Sequence, residues 1–359
     1  MVTTRMTRMS LAVAGLIVAS VSVASAQKLN PCGASFPQAI YEKWFAEYHT
    51  MHPDVQISYN PNGSGGGISG LTNGTCDFGA SDAPMTDAEL SAANASRGKV
   101  LHFPTVMGAV VPIYNIPGVT QDLRFSGSVL ADIYLGKITK WNDKAIAADN
   151  PGVKLPNEDI IPVHRTDASG TTFIFTDFLS SVSPEWKQKV GAAKAVNWPG
   201  QALGGAQNPG VTGVVKQTPN SIGYVELIYA IKEKLPYGSI KNAAGEFVKG
   251  SMEGVTQAAA GAAANMPNDF RVSIVNAPGK TSYPISSFTW MLIPAKIQDP
   301  AKAAAVKAFL RWMLTDGQKT APTLYFAALP KNVVTKELGQ LNQVEAPAAP
   351  GEKKGKKGL

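Results

Sequence analysis

The chain has 359 residues, 44% of them apolar and 16% charged, with a formal charge of +7. Four of those net charges lie at the ends, in Arg5 and Arg8 and in the lysine-rich tail from Gln343, which leaves +3 for the body. No aromatics are interleaved with basic residues, so the charge excludes a nucleic-acid footprint, and no stretch after the first residues offers 18 uninterrupted apolar residues to span a membrane.

Arg5 and Arg8 precede the apolar run Leu11 to Val23, and Ala24-Ser25-Ala26 has the small-x-small form of a signal peptidase site. Residues 1–26 therefore read as a cleaved signal peptide, with a mature chain of 333 residues from Gln27, enough for two domains with substantial cores. Lys28 to Cys32 reads as a first strand, and Gly33-Ala34-Ser35-Phe36-Pro37 turns it into a helix. Tyr41, Trp44, Phe45 and Tyr48 recur at helical spacing and mark a buried face rather than a ligand platform. Val55, Ile57 and Tyr59 alternate as a strand. Asn62 to Gly67 is a glycine-rich loop, with a helix starting over Ile68 to Leu71; it lacks the lysine and spacing of a nucleotide P-loop. Cys76 to Ala80 is another strand, ending in Ser81-Asp82-Ala83-Pro84.

Val106 to Ile113 is a long apolar strand able to carry the chain into a second domain. Thr139 to Asp143 turns into a short helix. Ile160 to Val163 is a buried strand leading into His164-Arg165-Thr166-Asp167-Ala168-Ser169-Gly170-Thr171-Thr172, and Phe173 to Leu179 continues as a helix. Ser169, Gly170 and Thr171 fall at that helix start, where free N–H groups and the macrodipole favour an anion. Arg165 adds a planar fork of donors, and Asp167 can hold it from behind. Pro184-Glu185-Trp186 opens another helix, Gly204 to Asn208 is a loop before Val211 to Val215, and Ser221 to Val225 is a strand. Val255 to Ala264 reads as helix, and Phe288 to Ile293, entered through Ser282 to Ile285, as a second long strand for the return crossing. Asp299 caps a helix with Pro300 in its first turn, Val306, Phe309, Leu310 and Met313 on its buried face, and Gly317 at its end. Beyond Val344 the composition is that of a disordered tail. Strand–loop–helix repeated with polar residues at the strand ends is the α/β pattern, and that sheet edge is where ligands bind.

Gly33 to Pro37, Gly63-Ser64-Gly65-Gly66, Asp77 to Pro84 and Arg165 to Thr171 together resemble the periplasmic phosphate-binding proteins of phosphate-specific ABC importers. Asp132 to Ile138, Trp141-Asn142-Asp143 and Ile222 to Glu226 extend the resemblance from Leu29 to about Val334. It implies a two-lobed periplasmic binding protein fold of class II: two α/β domains joined by a two-strand hinge. Lobe I would be residues 27–107 plus 286–342, lobe II 108–285, with a disordered basic tail over 343–359. It implies a phosphate site of Ser35, Phe36, Ser64, Asp82, Arg165, Ser169, Gly170 and Thr171. Asp167 would orient Arg165, and Asp82 would accept the anion's own proton. The partners implied are inorganic phosphate and an inner-membrane ABC permease complex, for a monomeric receptor without cofactor, metal or nucleic acid. Pro31-Cys32 where the family usually has Gly-Ala, Ser35 for a common Thr, Gly65 for a frequent Ser, and the tail depart from its pattern.

Two rival readings are a secreted phosphatase or hydrolase using Ser169 with His164, and a receptor for another oxyanion such as sulfate or molybdate. No Gly-x-Ser-x-Gly elbow surrounds Ser169 and no metal-ligand spacing is visible, while Asp82 opposes a fully ionised anion. Cys32 and Cys76 in an exported chain allow a disulfide closing a loop of about 45 residues, worth roughly 4 kcal/mol. Against it, Cys32 precedes Ser35 by three residues and Cys76 precedes Asp82 by six, a register that separates the sulfurs if the two strands run side by side. The sequence leaves this pairing open.

Overall fold

The computed structural model describes residues 27–346; the signal-peptide reading of 1–26 and the tail from 347 onward lie outside them. An eight-stranded sheet runs through the molecule. In chain order its strands are β1 (Cys32–Gly33), β2 (Asn60–Pro61), β3 (Gly79–Ser81), β4 (Val100–Asn115), β5 (Ile161–Arg165), β6 (Leu203–Gly205), β7 (Ser221–Glu226) and β8 (Ser286–Pro294). Their spatial order is β2-β1-β3-β8-β4-β7-β5-β6. β4 carries 16 residues, all buried except the last. It pairs antiparallel with β8 over Val100 to Ala109 and with β7 over Val110 to Asn115, so one strand serves both lobes. Pro104 within it has no N–H to give, and the β4–β8 ladder skips Thr105 there: Thr289 faces Val106 while Trp290 faces Pro104.

Helices follow the strands: α1 (Gln38–Met51), α2 (Ser64–Asn73), α3 (Asp87–Arg97), α4 (Gly170–Val182) and α5 (Gln207–Gln217) each start just beyond a strand end. The aromatic stripe of α1 is core, with Tyr41, Trp44, Phe45 and Tyr48 all buried. In α6 (Pro300–Leu314), Asp299 caps Ala301 and Lys302, and Val306, Phe309, Leu310 and Met313 are buried as the periodicity requires. That helix ends at Leu314, before Gly317, whose carbonyl instead accepts from Trp44 Nε1 at 2.7 Å.

Several sequence expectations shift. The glycine run is not a loop before a helix; it is the first turn of α2, which begins at Ser64. The first strand is split by Asn30-Pro31, and Gln27–Leu29 pairs with Val55–Ile57 in a separate two-stranded sheet. Cys76 is not on a strand. It lies in the turn after α2, where Thr75 and Cys76 N–H groups bond back to Gly70 O. That turn brings Cys76 to Cys32, and the two form a disulfide with Cα atoms 5.9 Å apart. Only Cys32 lies on a strand, so strand register does not separate the two sulfurs. Gly70 makes room: a Cβ there would stand 2.5 Å and 2.7 Å from the two sulfurs. Gln343 to Glu345, assigned by composition to a free tail, are held instead. Val344 is buried, Glu345 N–H donates to Ala295 O and Ile297 N–H to Glu345 O.

Candidate functional site

The loops after β1, β2, β3, β5 and β6 meet at one place. Ser35 lies between β1 and α1, Ser64 opens α2, Asp82 follows β3, Arg165 ends β5, Ser169 caps α4, and Gly170 and Thr171 form its first turn. All seven are buried. Three hydroxyls share one arrangement. Ser35 Oγ accepts from Asn208 N (3.1 Å) and Nδ2 (3.0 Å). Ser64 Oγ accepts from Asp82 N (3.1 Å) and Gly170 N (3.0 Å). Thr171 Oγ1 accepts from Arg165 Nη1 (3.1 Å) and Asn208 Nδ2 (3.2 Å). A hydroxyl has two lone pairs and one proton, so all three are left as donors, and Ser64 Oγ has Asp82 Oδ2 as an acceptor at 3.4 Å. Across the cleft Gly170 has no room for a side chain: a Cβ would lie 2.6 Å from Asp82 Cβ and 2.7 Å from its Oδ2.

Arg165 and Asp167 form a two-pronged pair, Nε to Oδ1 at 2.8 Å and Nη2 to Oδ2 at 2.6 Å, with the guanidinium almost wholly buried. Gln207 takes a left-handed backbone, φ 60°, and donates its N–H to Asp167 Oδ1 at 2.8 Å. Burial alone would push the Asp167 carboxyl up; the hydrogen bonds and charge of Arg165 outweigh it and hold it below the ordinary range. Asp82 behaves the other way. Burial pushes its carboxyl up to about 7, against the opposing pull of the Thr289 hydrogen bond, the Arg165 charge and Ser64. Its carboxylate caps no turn: Ser81 Oγ makes the turn bonds to Ala83, while Asp82 Oδ1 accepts from Thr289 Oγ1 at 2.8 Å.

Residues 21–317 match the model of the PBP superfamily domain. The chain is 43% identical over 308 residues to the phosphate-binding protein PstS of Xylella fastidiosa, covering 86% of this chain and 83% of that one. It is 42% identical over 332 residues to the phosphate-binding protein PstS of Pasteurella multocida, covering 92% and 94%. The chain belongs to the PstS family. A solved phosphate-binding protein from Stenotrophomonas maltophilia shares the fold, with a TM-score of 0.69 at 19% identity over 88% of this chain and 94% of that one.

Within this PstS-family chain the structure brings Ser35, Ser64, Asp82, Arg165, Gly170 and Thr171 together. Phe36 follows Ser35 in the chain, its ring buried against Phe326 at 6.2 Å between centroids. Ser169 differs from the sequence reading. Its N–H goes to Lys194 O at 2.8 Å and its Oγ accepts from Thr172 N at 3.1 Å, so only its hydroxyl proton remains to offer; the Gly170 N–H, also expected free, is spent on Ser64 Oγ at 3.0 Å. Nothing joins Ser169 to His164 as a nucleophile to its base. His164 Nδ1 pairs with Arg165 O at 2.8 Å and its ring stacks on Trp198 at 5.1 Å. Among the described residues no three His, Cys, Asp or Glu side chains gather as metal ligands, and no helix is long and apolar enough to cross a membrane.

Sequence reasoning missed Asn208, Gln207 and Thr289. Asn208 is fully buried, bridges Ser35 and Thr171, and accepts from Glu226 N through Oδ1 at 3.0 Å. The signal was present: Gly204-Gly205-Ala206-Gln207-Asn208 is one more polar loop between a strand and a helix, like those that supply Ser64 and Ser169.

Proposed function

We propose that the chain is a periplasmic receptor that captures inorganic phosphate between its lobes and delivers it to a membrane ABC importer. It acts as a monomer after removal of residues 1–26 and performs no chemistry on its cargo. The observation that carries this reading is the division of polarity around the cleft. Ser35, Ser64 and Thr171 are fixed as donors and Arg165 is held in one plane by Asp167, while one carboxylate, Asp82, stands among them. An oxyanion takes the donors. Only an oxyanion that keeps a proton satisfies the carboxylate as well, through an O–H···O⁻ bond, and phosphate near neutral pH keeps one. Sulfate has none to give, and its contact with Asp82 is repulsive.

The site residues are Ser35, Phe36, Ser64 and Asp82 from one lobe and Arg165, Ser169, Gly170 and Thr171 from the other, with Asp167 orienting Arg165. The lobes are residues 27–107 with 286–342, and residues 108–285, and they close about the two strands that cross between them. The PstS names of its relatives agree with this cargo. Calorimetric titration of the purified chain with phosphate and with sulfate tests it. The expected result is one saturable phosphate site and no sulfate binding at about pH 9, where the Asp82 carboxyl is ionised. Absence of phosphate binding, or turnover of a phosphate ester by the protein, overturns the reading.

A further inference from the structure

The two oxygens of Asp82 face different ways. Oδ2 lies on the Gly170 side, where it accepts a long hydrogen bond from Ser64 Oγ at 3.4 Å and is 2.7 Å from where a Cβ on Gly170 would stand. Oδ1 faces the sheet, where the buried Thr289 Oγ1 is 2.8 Å away. Thr289 is at the point where the β4–β8 ladder skips Thr105. Side chains repair the gap: Thr105 Oγ1 bonds to Thr289 O at 3.1 Å, and Tyr41 OH lies 2.9 Å from Thr105 Oγ1. Thr105 spends its only proton on Thr289 O, so Tyr41 is the donor to Thr105. The register is thus fixed by hydroxyls from α1, β4 and β8 together. Bulges next to sites re-aim a side chain, and this one seats Thr289 beneath Asp82. The Thr289 hydroxyl also has Ser81 O at 3.4 Å, a longer contact to an uncharged acceptor, so the proton goes to the carboxylate.

We propose that Thr289 is the positioning residue for Asp82: its donated hydrogen bond holds Oδ1, favours the ionised carboxylate, and leaves Oδ2, which takes only the long contact from Ser64, turned toward the anion. Thr289 therefore sets the pH at which the site stops excluding sulfate. This inference rests on the phosphate reading of the cleft.

The other ionisable groups around Asp82 do not duplicate this role. Arg165 is the cation that favours its ionised form, and Asp167, on the same loop, opposes it. Burial, with the Asp82 charge adding to it, pushes the carboxyl of Glu226 at the end of β7 well above the ordinary range. Burial likewise raises Tyr41, Tyr59 and Tyr229, which stay neutral. The Thr289 hydrogen bond is the strongest single opponent of burial at Asp82. Removing the donor moves the Asp82 titration upward, by about one to two pH units for a lost hydrogen bond to a charged group. A protonated Asp82 presents O–H to the anion. Sulfate then binds with uptake of one proton, and its affinity rises as pH falls through the Asp82 titration.

The test is Thr289→Val, which keeps the shape and removes the hydroxyl, with Thr289→Ala as a second variant of the same expectation and Thr289→Ser as the rescue. Phosphate and sulfate affinities are measured by calorimetry across about pH 5 to 9. Expected is an onset of sulfate binding displaced upward by about one to two pH units in the Val or Ala protein, with the Ser protein restored to the wild-type profile. A uniform loss of affinity for both anions with the onset unmoved makes Thr289 merely structural and overturns the proposal. An unaltered Val or Ala protein overturns it as well. The phosphate reading fails separately: in that case the wild-type chain itself binds no phosphate.

Discussion

At the scale of single residues, the site is defined by protons whose direction is imposed. Ser35, Ser64 and Thr171 each spend both lone pairs on protein donors, so each has only its O–H to give, and the Ser64 proton has Asp82 Oδ2 within reach at 3.4 Å. Arg165→Lys keeps the charge and loses the fork. Phosphate affinity is expected to fall by about 1.5–3 kcal/mol, the worth of a charged hydrogen bond; an unchanged dissociation constant would show that the fork is not used. Asp82→Asn keeps phosphate binding at moderate cost and makes sulfate binding measurable, and competition titration reads it directly. The same residue gives a stability effect of definite sign. A buried carboxyl raised to about 7 binds its proton in the folded chain at pH values where the unfolded chain has lost it. Its contribution is therefore greatest at low pH and is lost as pH rises toward about 7. From about pH 7 down to about pH 5 the ligand-free wild type should gain roughly 2 kcal/mol that Asp82→Asn does not gain; parallel melting curves for the two proteins would count against it. These charged residues are legible in the sequence because Arg165-Thr166-Asp167 and Ser81-Asp82-Ala83-Pro84 are local signals. Asn208 and Thr289 are not, because their importance lies in contacts with residues far along the chain.

At the scale of elements, the helix caps and long strands are legible and the short pieces are not. Asp299-Pro300 with Val306, Phe309, Leu310 and Met313 states a helix with one buried face, and the structure contains it. Ser64-Gly65-Gly66-Gly67 has poor helix propensity and reads as loop, yet it forms the first turn of α2. Tertiary bonds decide the matter: Gly63 N–H goes to Gly33 O, and Gly65 N–H crosses the cleft to Ala168 O. The cysteines were illegible for a related reason, since the pairing depends on where α2 ends and how its turn folds back on Gly70. The disulfide joins the strand leading to Ser35 with the turn leading to Asp82. Cys76→Ser, or complete reduction of the wild type, should lower the unfolding free energy by roughly 2–5 kcal/mol. Denaturant midpoints measured with and without reductant check this, and identical midpoints with both thiols demonstrably free would contradict it.

At the scale of the molecule, the two crossing strands were legible as the longest apolar runs, but their neighbours were not. The lobes meet through bonds that no local pattern reveals: Tyr229 OH to Ser35 O at 2.5 Å, Lys194 Nζ to Glu89 Oε1 at 2.8 Å, and Gly170 N to Ser64 Oγ. Because the proposed ligand residues come from both lobes, phosphate should close the cleft and raise the melting temperature by mass action. Small-angle scattering identical with and without saturating phosphate would argue against closure. The sheet order has a further consequence, one of timing. β3 and β4 are separated by the width of one strand, and the strand that fills the gap, β8, begins at residue 286. A chain emerging N-terminus first from a ribosome or a translocation pore therefore carries an open gap in the first lobe's sheet until most of its length is out. The second lobe has its own strands in hand earlier. The half that appears first is completed last, and the carboxylate of Asp82 receives the Thr289 hydroxyl only when that late strand arrives.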